Sequence, residues 1–289
     1  TTLFRSLSKA LSKLKKGDQL LIQFPMLHHS FFTTHLVKRM QRKGVKVHFI
    51  IHDLEVLRYA NLDTVPWKHK IRVHLQESSL LKQADGLIAH NPIMKSVLVD
   101  KGISEKKIVS LGIFDYLIPN YQDKENLSKE GAIIVAGNLA QEKAGYLYEL
   151  PARPAYNLYG VGFDEARKLS NETYFGSFLP DELPSALEGS FGLVWDGDSS
   201  KTCSGVFGEY LRYNNSHKAS LYLASGFPII VWRQSALANF VLEKECGISV
   251  ESLLDLEKEL EHLSEEEYQN LVNKAKSVDR KSTRLNSSH

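Results

Sequence analysis

Short β-rich runs separated by helical stretches recur along the whole chain, and this alternation limits the available folds more than any other feature. Gln19–Phe24, Val45–Ile51, Gly86–Ala89 and Ile108–Leu111 read as strands in the first half. Ala132–Ala136, Tyr156–Tyr159, Phe191–Trp195, Ile229–Trp232 and Ile248–Val250 continue the series in the second. Strands in such a series predict parallel sheets with crossover helices, an α/β class. The polar stretch Pro119–Glu130 has no periodic apolar face and interrupts the pattern. Residues 7–118 and 132–278 are therefore expected to form two Rossmann-like domains facing across a cleft, with 119–131 as linker. The length of 289 residues also suits two cores better than one. Leu253–Val278 closes the pattern as two charged amphipathic helices.

Residues 1–6 and 279–289 read as translated adapter sequence and are set aside from fold reasoning, which leaves the N-terminal unit incomplete. These tails sum to +3, so the formal +2 becomes about −1 for the core. Residues 7–60 hold ten Lys or Arg against three acids, with Lys38, Arg39, Arg42 and Lys43 on one helix. A solvated face is the plainer reading of that helix. The alternative is peripheral contact with anionic lipid at the inner face of the membrane. Aromatics are not interleaved with the basic residues, so no nucleic-acid partner is expected. Cys203 and Cys246 are too few and too far apart for a disulfide framework or a metal knuckle, which suits the cytoplasm. No apolar run reaches the roughly 18 residues of a membrane span.

The stretch from Gly208 to Trp232 reads as loop, helix and strand. Asn215 or Ser216 can cap the helix, Leu221, Leu223 and Ala224 line it, and Gly226 and Pro228 stop it. Its charge is unusual. Lys218, with His217 beside it, falls in the first turn, where the helix dipole makes a cation unfavourable by about 0.3 kcal/mol or more. An arriving anion would reverse that sign. Backbone N–H groups, the Ser216 hydroxyl, the Asn215 amide and Lys218 at one helix start suit a phosphate, and in an α/β domain the usual phosphate carrier is a nucleotide. An ordinary solvated lysine is the plainer alternative.

Together with Gly192-Leu193-Val194-Trp195-Asp196-Gly197, this block resembles the signature of bacterial β-1,6-galactofuranosyltransferases and the related glucosyltransferases that extend glycans on serine-rich adhesins. The likeness runs from about Leu20 to Val278. Where relatives read Asn-Pro-His-Lys, this chain has Asn215-Ser216-His217-Lys218, which removes a favoured first-turn proline and adds a hydroxyl.

The resemblance implies a GT-B glycosyltransferase that moves a hexose from a UDP-sugar to a glycan or lipid-linked oligosaccharide acceptor in bacterial surface polysaccharide synthesis. UDP-galactofuranose is the favoured donor. The alternatives are a UDP-glucose transferase acting on an adhesin glycoprotein and a non-catalytic GT-B partner subunit, with homo-oligomerisation left open. It places UDP against Asn138, in the turn Gly137-Asn138-Leu139 near Lys143, and against Gly160, Asn215, Ser216, His217 and Lys218. In Tyr159-Gly160-Val161-Gly162, the missing Cβ would let a base or ribose approach the backbone. The long polar loop from Asp196 to Asn215 ends in Glu209 and Tyr210. A carboxylate is repelled by a diphosphate, so Glu209 is assigned to ribose or sugar hydroxyls.

Inverting transfer needs a base for the acceptor hydroxyl, and His52-Asp53-Leu54-Glu55 follows a strand where one would sit. Asp53 is the first choice, with Glu55 and His52 as rivals and helix capping as its alternative role. His28 and His29 could help hold the acceptor. No cofactor or metal is expected: the chain is read as lacking the Asp-x-Asp triplet that holds a divalent ion in the other large glycosyltransferase fold, so Lys218 and the helix dipole would stabilise departing UDP in its place.

Overall fold

The computed structural model describes residues 9, 11–25, 30–59, 66–119 and 122–283, and it places all nine expected strands in parallel sheets. The chain divides into two units, Thr1–Leu111 and Gly112–His289. In the first, the elements run β1 (Gln19–Phe24), α1 (Ser30–Arg42), β2 (Lys46–Ile51), α2 (Glu55–Arg58), α3 (Trp67–Gln83), β3 (Gly86–Ala89), α4 (Pro92–Asp100) and β4 (Ile108–Ser110). The strands pair in parallel in the order β1-β2-β3-β4. Helix α1 buries Leu36, Val37 and Met40 and leaves Lys38, Arg39 and Arg42 exposed. Helix α4 begins where Asn91 Oδ1 accepts the Met94 N–H at 2.8 Å and Pro92 supplies its preset backbone angle.

Helix α2 has no such local cap. Its N-cap residue is Leu54, and the Glu55 and Val56 N–H groups are taken by the two oxygens of Glu77 on α3, at 3.1 and 2.8 Å. Glu77 is buried, and that burial pushes its carboxyl up to about 7. The two N–H groups and nearby Arg58 oppose the rise, while nearby Glu55 adds to it.

The second unit contains β5 (Ile133–Asn138), α5 (Gln141–Ala144), β6 (Tyr156–Val161), β7 (Glu172–Tyr174), α6 (Leu183–Ala186) and β8 (Gly192–Val194). It continues with α7 (Gly205–Tyr210), α8 (His217–Ala224), β9 (Ile229–Trp232), α9 (Leu237–Lys244), β10 (Gly247–Val250), α10 (Leu256–His262) and α11 (Glu265–Thr283). Its six strands are parallel in the order β10-β9-β8-β5-β6-β7. Alternate residues enter separate cores: Ile133, Val135, Leu193, Ile230 and Trp232 on one face, Ile134, Ala136, Val194, Ile229 and Val231 on the other. A parallel sheet covered on both faces requires this, and it is why the strands read as continuous apolar runs.

Four features differ from the sequence expectation. Strand β7 was unforeseen because it is short and opens on Glu172, which is buried with Oε2 accepting the Leu169 N–H at 2.7 Å. Helix α7 lies inside the stretch expected to be structureless loop. The boundary between units falls at Leu111, and the chain beyond it packs on the second unit. Tyr116 Oη donates to Pro180 O at 3.1 Å, and Lys124 Nζ, within the expected linker, donates to Ser185 O at 3.2 Å. Helix α11 runs on into the stretch set aside as terminal addition, while residues 1–6 and 284–289 lie outside the described residues.

Helix α8 is buried along Ala219–Ala224. Its Tyr222 ring fills the space beside Gly192, where an added Cβ would stand 2.0 Å from Tyr222 Cγ. Gly192→Ala should therefore lower the free energy of unfolding by about 1–3 kcal/mol or more, read from urea denaturation, because neither β8 nor the buried ring can give way. Glu77 makes a second expectation. A carboxyl raised on folding contributes stability that is complete below its unfolded value of 4.5 and lost as pH rises through about 7. The native protein should lose on the order of 2–3 kcal/mol between pH 5 and pH 8 relative to Glu77→Gln, measured as the difference between their denaturation curves.

Candidate functional site

An open parallel sheet offers its ligand crevice at the carboxyl edge where strand order reverses. In the second unit that point lies between β5 and β8, because the chain runs outward through β6 and β7 and then returns to the other side of β5. The two strands pair only at Ile134 and Gly192, and the pairing does not continue towards their carboxyl ends. Helix α8 begins at this opening.

Ser216 is the N-cap, with its Oγ accepting the Lys218 N–H at 3.4 Å and its carbonyl accepting the Ala219 N–H at 3.0 Å. Asn215 is buried and donates its amide to Gly112 O. The His217 ring packs on Phe114 with centroids 4.3 Å apart. Lys218 turns inward. Its Nζ donates to Asp196 Oδ1 at 2.8 Å and to Trp195 O at 3.0 Å, and the two side chains are only 10% and 8% exposed. The anion that the first-turn cation seemed to lack is thus supplied by the chain itself, from the residue two beyond β8. Four of the expected residues, Asn215, Ser216, His217 and Lys218, are brought together at one helix start.

The neighbouring strand ends complete the site. Lys218 Cε lies 3.7 Å from where a Cβ on Gly137 would stand, so the lysine stem runs over the end of β5. Asn138 is exposed, and its Oδ1 accepts the Ala140 N–H at 2.9 Å, closing the turn into α5. Lys143 Nζ lies 5.4 Å from the Phe207 ring centroid. At Gly160 a Cβ would fall 1.8 Å from Gly137 O, so its bareness also serves the approach of β6 to β5. Its N–H donates to Gly176 O at 2.7 Å and its carbonyl accepts the Tyr174 hydroxyl at 2.8 Å.

Glu209 and Tyr210 close a helix rather than a loop. Glu209 Oε2 accepts Arg212 Nε–H at 2.8 Å; the same guanidinium donates to Gln234 Oε1 at 2.7 Å and lies 4.4 Å from the Trp232 ring centroid. Its carboxylate is therefore held in one orientation near the site. Tyr210 is 3% exposed, and the expectation that it faces a ligand gives way to a packing role.

Against the expectation that no Asp-x-Asp triplet is present, the chain contains one, Asp196-Gly197-Asp198. Its two carboxylates serve different partners, Asp196 taking Lys218 and Asp198 accepting the Ser204 hydroxyl. Among the described residues, no group of three or more His, Cys, Asp or Glu is placed to hold a metal. Burial raises the Cys203 thiol well above its ordinary value, and Cys203 and Cys246 are both free and buried.

In the first unit, considered separately, Asp53 follows β2 and is 44% exposed, with Oδ1 accepting Arg58 Nη2 at 2.6 Å. Helix capping does not occupy it, since Leu54 stands at the N-cap and Glu77 takes the first N–H groups. His52 extends the strand geometry, its N–H donating to Phe24 O at 2.8 Å. His28 and His29 lie outside the described residues. Among the described residues no helix is long and apolar enough to cross a membrane.

Sequence reasoning missed Asp196, Arg58, Glu77 and Phe114. Asp196 stood inside the quoted Gly192–Gly197 motif, which was the available signal; the other three are set by contacts that no local pattern marks.

The Glucosyltransferase 3-like N-terminal domain model matches residues 1–113, and the corresponding C-terminal domain model matches residues 133–284. The chain is similar to the beta-1,6-galactofuranosyltransferase WbbI of Escherichia coli (strain K12), at 32% identity over 280 residues covering 95% of this chain and 78% of that one. It is also similar to Glucosyltransferase 3 of Streptococcus gordonii, at 25% identity over 278 residues with coverage of 95% and 78%. Among solved structures, Anabaena HepE in complex with UDP superposes with a TM-score of 0.58 at 10% identity, covering 98% of this chain and 82% of that one. At that identity the likeness concerns the fold, which is of the GT-B class.

Proposed function

The chain belongs to the glucosyltransferase 3-like family of glycosyltransferases, and on that premise we propose that it moves galactofuranose from UDP-galactofuranose to a glycan acceptor of a bacterial surface polysaccharide. The observation that carries the reading is the Lys218 ammonium, fixed at the start of α8 on the carboxyl edge of β5 and β8. Departing UDP leaves with negative charge on its diphosphate. A preset ammonium beside a helix N-terminus stabilises that charge without having to reorganise during the reaction. In this reading Asn138, Asn215, Ser216 and His217 border the diphosphate, Glu209 meets ribose or sugar hydroxyls, and no metal is needed.

Galactofuranose is favoured by the higher identity to the galactofuranosyltransferase, 32% against 25% for the streptococcal glucosyltransferase. Transfer of glucose from UDP-glucose is the second reading, supported by the family description itself and by that relative. Both use the same diphosphate grip. Asp53 is the proposed base: Arg58 holds one carboxylate oxygen, and the other is the one to accept the acceptor proton.

Lys218→Ala should weaken UDP binding by about 10- to 100-fold in calorimetry, the value of one charge-assisted contact. Unchanged affinity would remove this site from the reading. Asp53→Asn should keep UDP affinity and lower kcat by roughly 10²- to 10⁴-fold with either UDP-sugar as donor. Native protein that binds UDP but turns over neither donor would point to a non-catalytic subunit.

A further inference from the structure

We infer that Asp196 is a positioning residue for the donor diphosphate, acting through Lys218 by holding its ammonium where a phosphate oxygen arrives. The inference rests on the UDP-donor reading above and adds a residue to which that reading gives no role.

Asp196 is itself held from both sides. Before it, the Trp195 indole N–H donates to Ser199 O at 3.0 Å. After it, Gly197 donates its N–H to Lys143 O at 2.8 Å, and its carbonyl accepts the Tyr146 N–H at 3.2 Å. The carboxylate therefore stands on fixed backbone and is nearly buried. Lys218, in contrast, has a flexible four-carbon stem that loses rotamer freedom when it is ordered. An ammonium has three donor hydrogens. Two are directed to Asp196 Oδ1 and Trp195 O, which fixes the direction of the third.

A purely structural tie between α8 and β8 is the competing explanation, and its position argues against it. Buried ion pairs are often no more stabilising than apolar residues of the same size. This pair sits at the one point of the sheet where the strand order reverses and a ligand crevice opens. Asp196 also reduces the net positive charge an anion meets, so it adds nothing to long-range attraction. What it contributes is placement, which a reacting diphosphate needs more.

The test is a double-mutant cycle on UDP affinity, using the full chain and calorimetry: native, Asp196→Asn, Lys218→Ala and the double variant. With Lys218 present, Asp196→Asn should weaken UDP binding about tenfold; with Lys218 replaced it should change affinity less than about twofold. Thermal midpoints are measured beside the affinities. Asp196→Glu keeps the charge but moves it by one methylene, and it should weaken UDP severalfold at a native midpoint. That variant decides the matter if Asp196→Asn does not fold. Equal losses in both backgrounds, native affinity in Asp196→Glu, or tighter binding in Asp196→Asn would each overturn the role of Asp196. Native protein that fails to bind UDP removes the donor reading and this inference together, whereas native binding with an additive cycle removes this inference alone.

Discussion

Tyr222 ties helix α8 to the sheet where strand pairing runs out, its hydroxyl accepting the Ala136 N–H of β5 at 2.7 Å. Strands β5 and β8 pair at Ile134 and Gly192 and not beyond, so the Ala136 N–H is not taken by β8. A buried, unpaired N–H would cost about 1–3 kcal/mol. Tyr222 supplies the acceptor, and Gly192 makes room for its ring. One contact thus closes the gap in the sheet and ties α8 to β5, and with it the Ser216–Lys218 end of the candidate donor site.

A helix started there faces an electrostatic problem that the fold resolves within the second unit. The dipole disfavours a cation in the first turn, and burial disfavours it further. Lys218 persists because Asp196 stands at the end of β8 with its carboxylate facing the same opening. Removing either partner of such a pair strands the other, at a cost of about 3–5 kcal/mol. The pair is near neutral when the site is empty, so the polarity available to an incoming anion comes from the orientation of the ammonium and the helix end rather than from net charge.

How much of this was legible follows from which interactions are local. Parallel strands covered on both faces must be apolar runs, so Ile229–Trp232 announces itself, and a capping serine before an apolar helix marks the start of α8 within a residue. Lys218 was visible as an anomaly of charge. Its explanation was not, because Asp196 belongs to another element and only the sheet topology brings the two together. Glu77 capping α2 is hidden in the same way, and β7 was concealed by a buried glutamate whose partner is the Leu169 N–H. Gly160 was visible as special, but the packing requirement set by the Gly137 carbonyl on the neighbouring strand was not.

The two aspartates that follow strands, Asp53 after β2 and Asp196 after β8, are each paired with a cation, and exposure separates their roles. Asp53 is 44% exposed and its Arg58 side chain 20%, whereas Asp196 and Lys218 are 8% and 10% exposed. An exposed pair is screened by water and contributes about 0–1 kcal/mol, so it can be loosened or shared at little cost. A buried pair cannot be exchanged without leaving a charge uncompensated. A proton acceptor must meet substrate and change its charge during turnover; a positioning group must do neither. The exposure of each pair accords with the roles proposed above, proton transfer for Asp53 and fixed placement for Asp196, although both begin as an aspartate after a parallel strand.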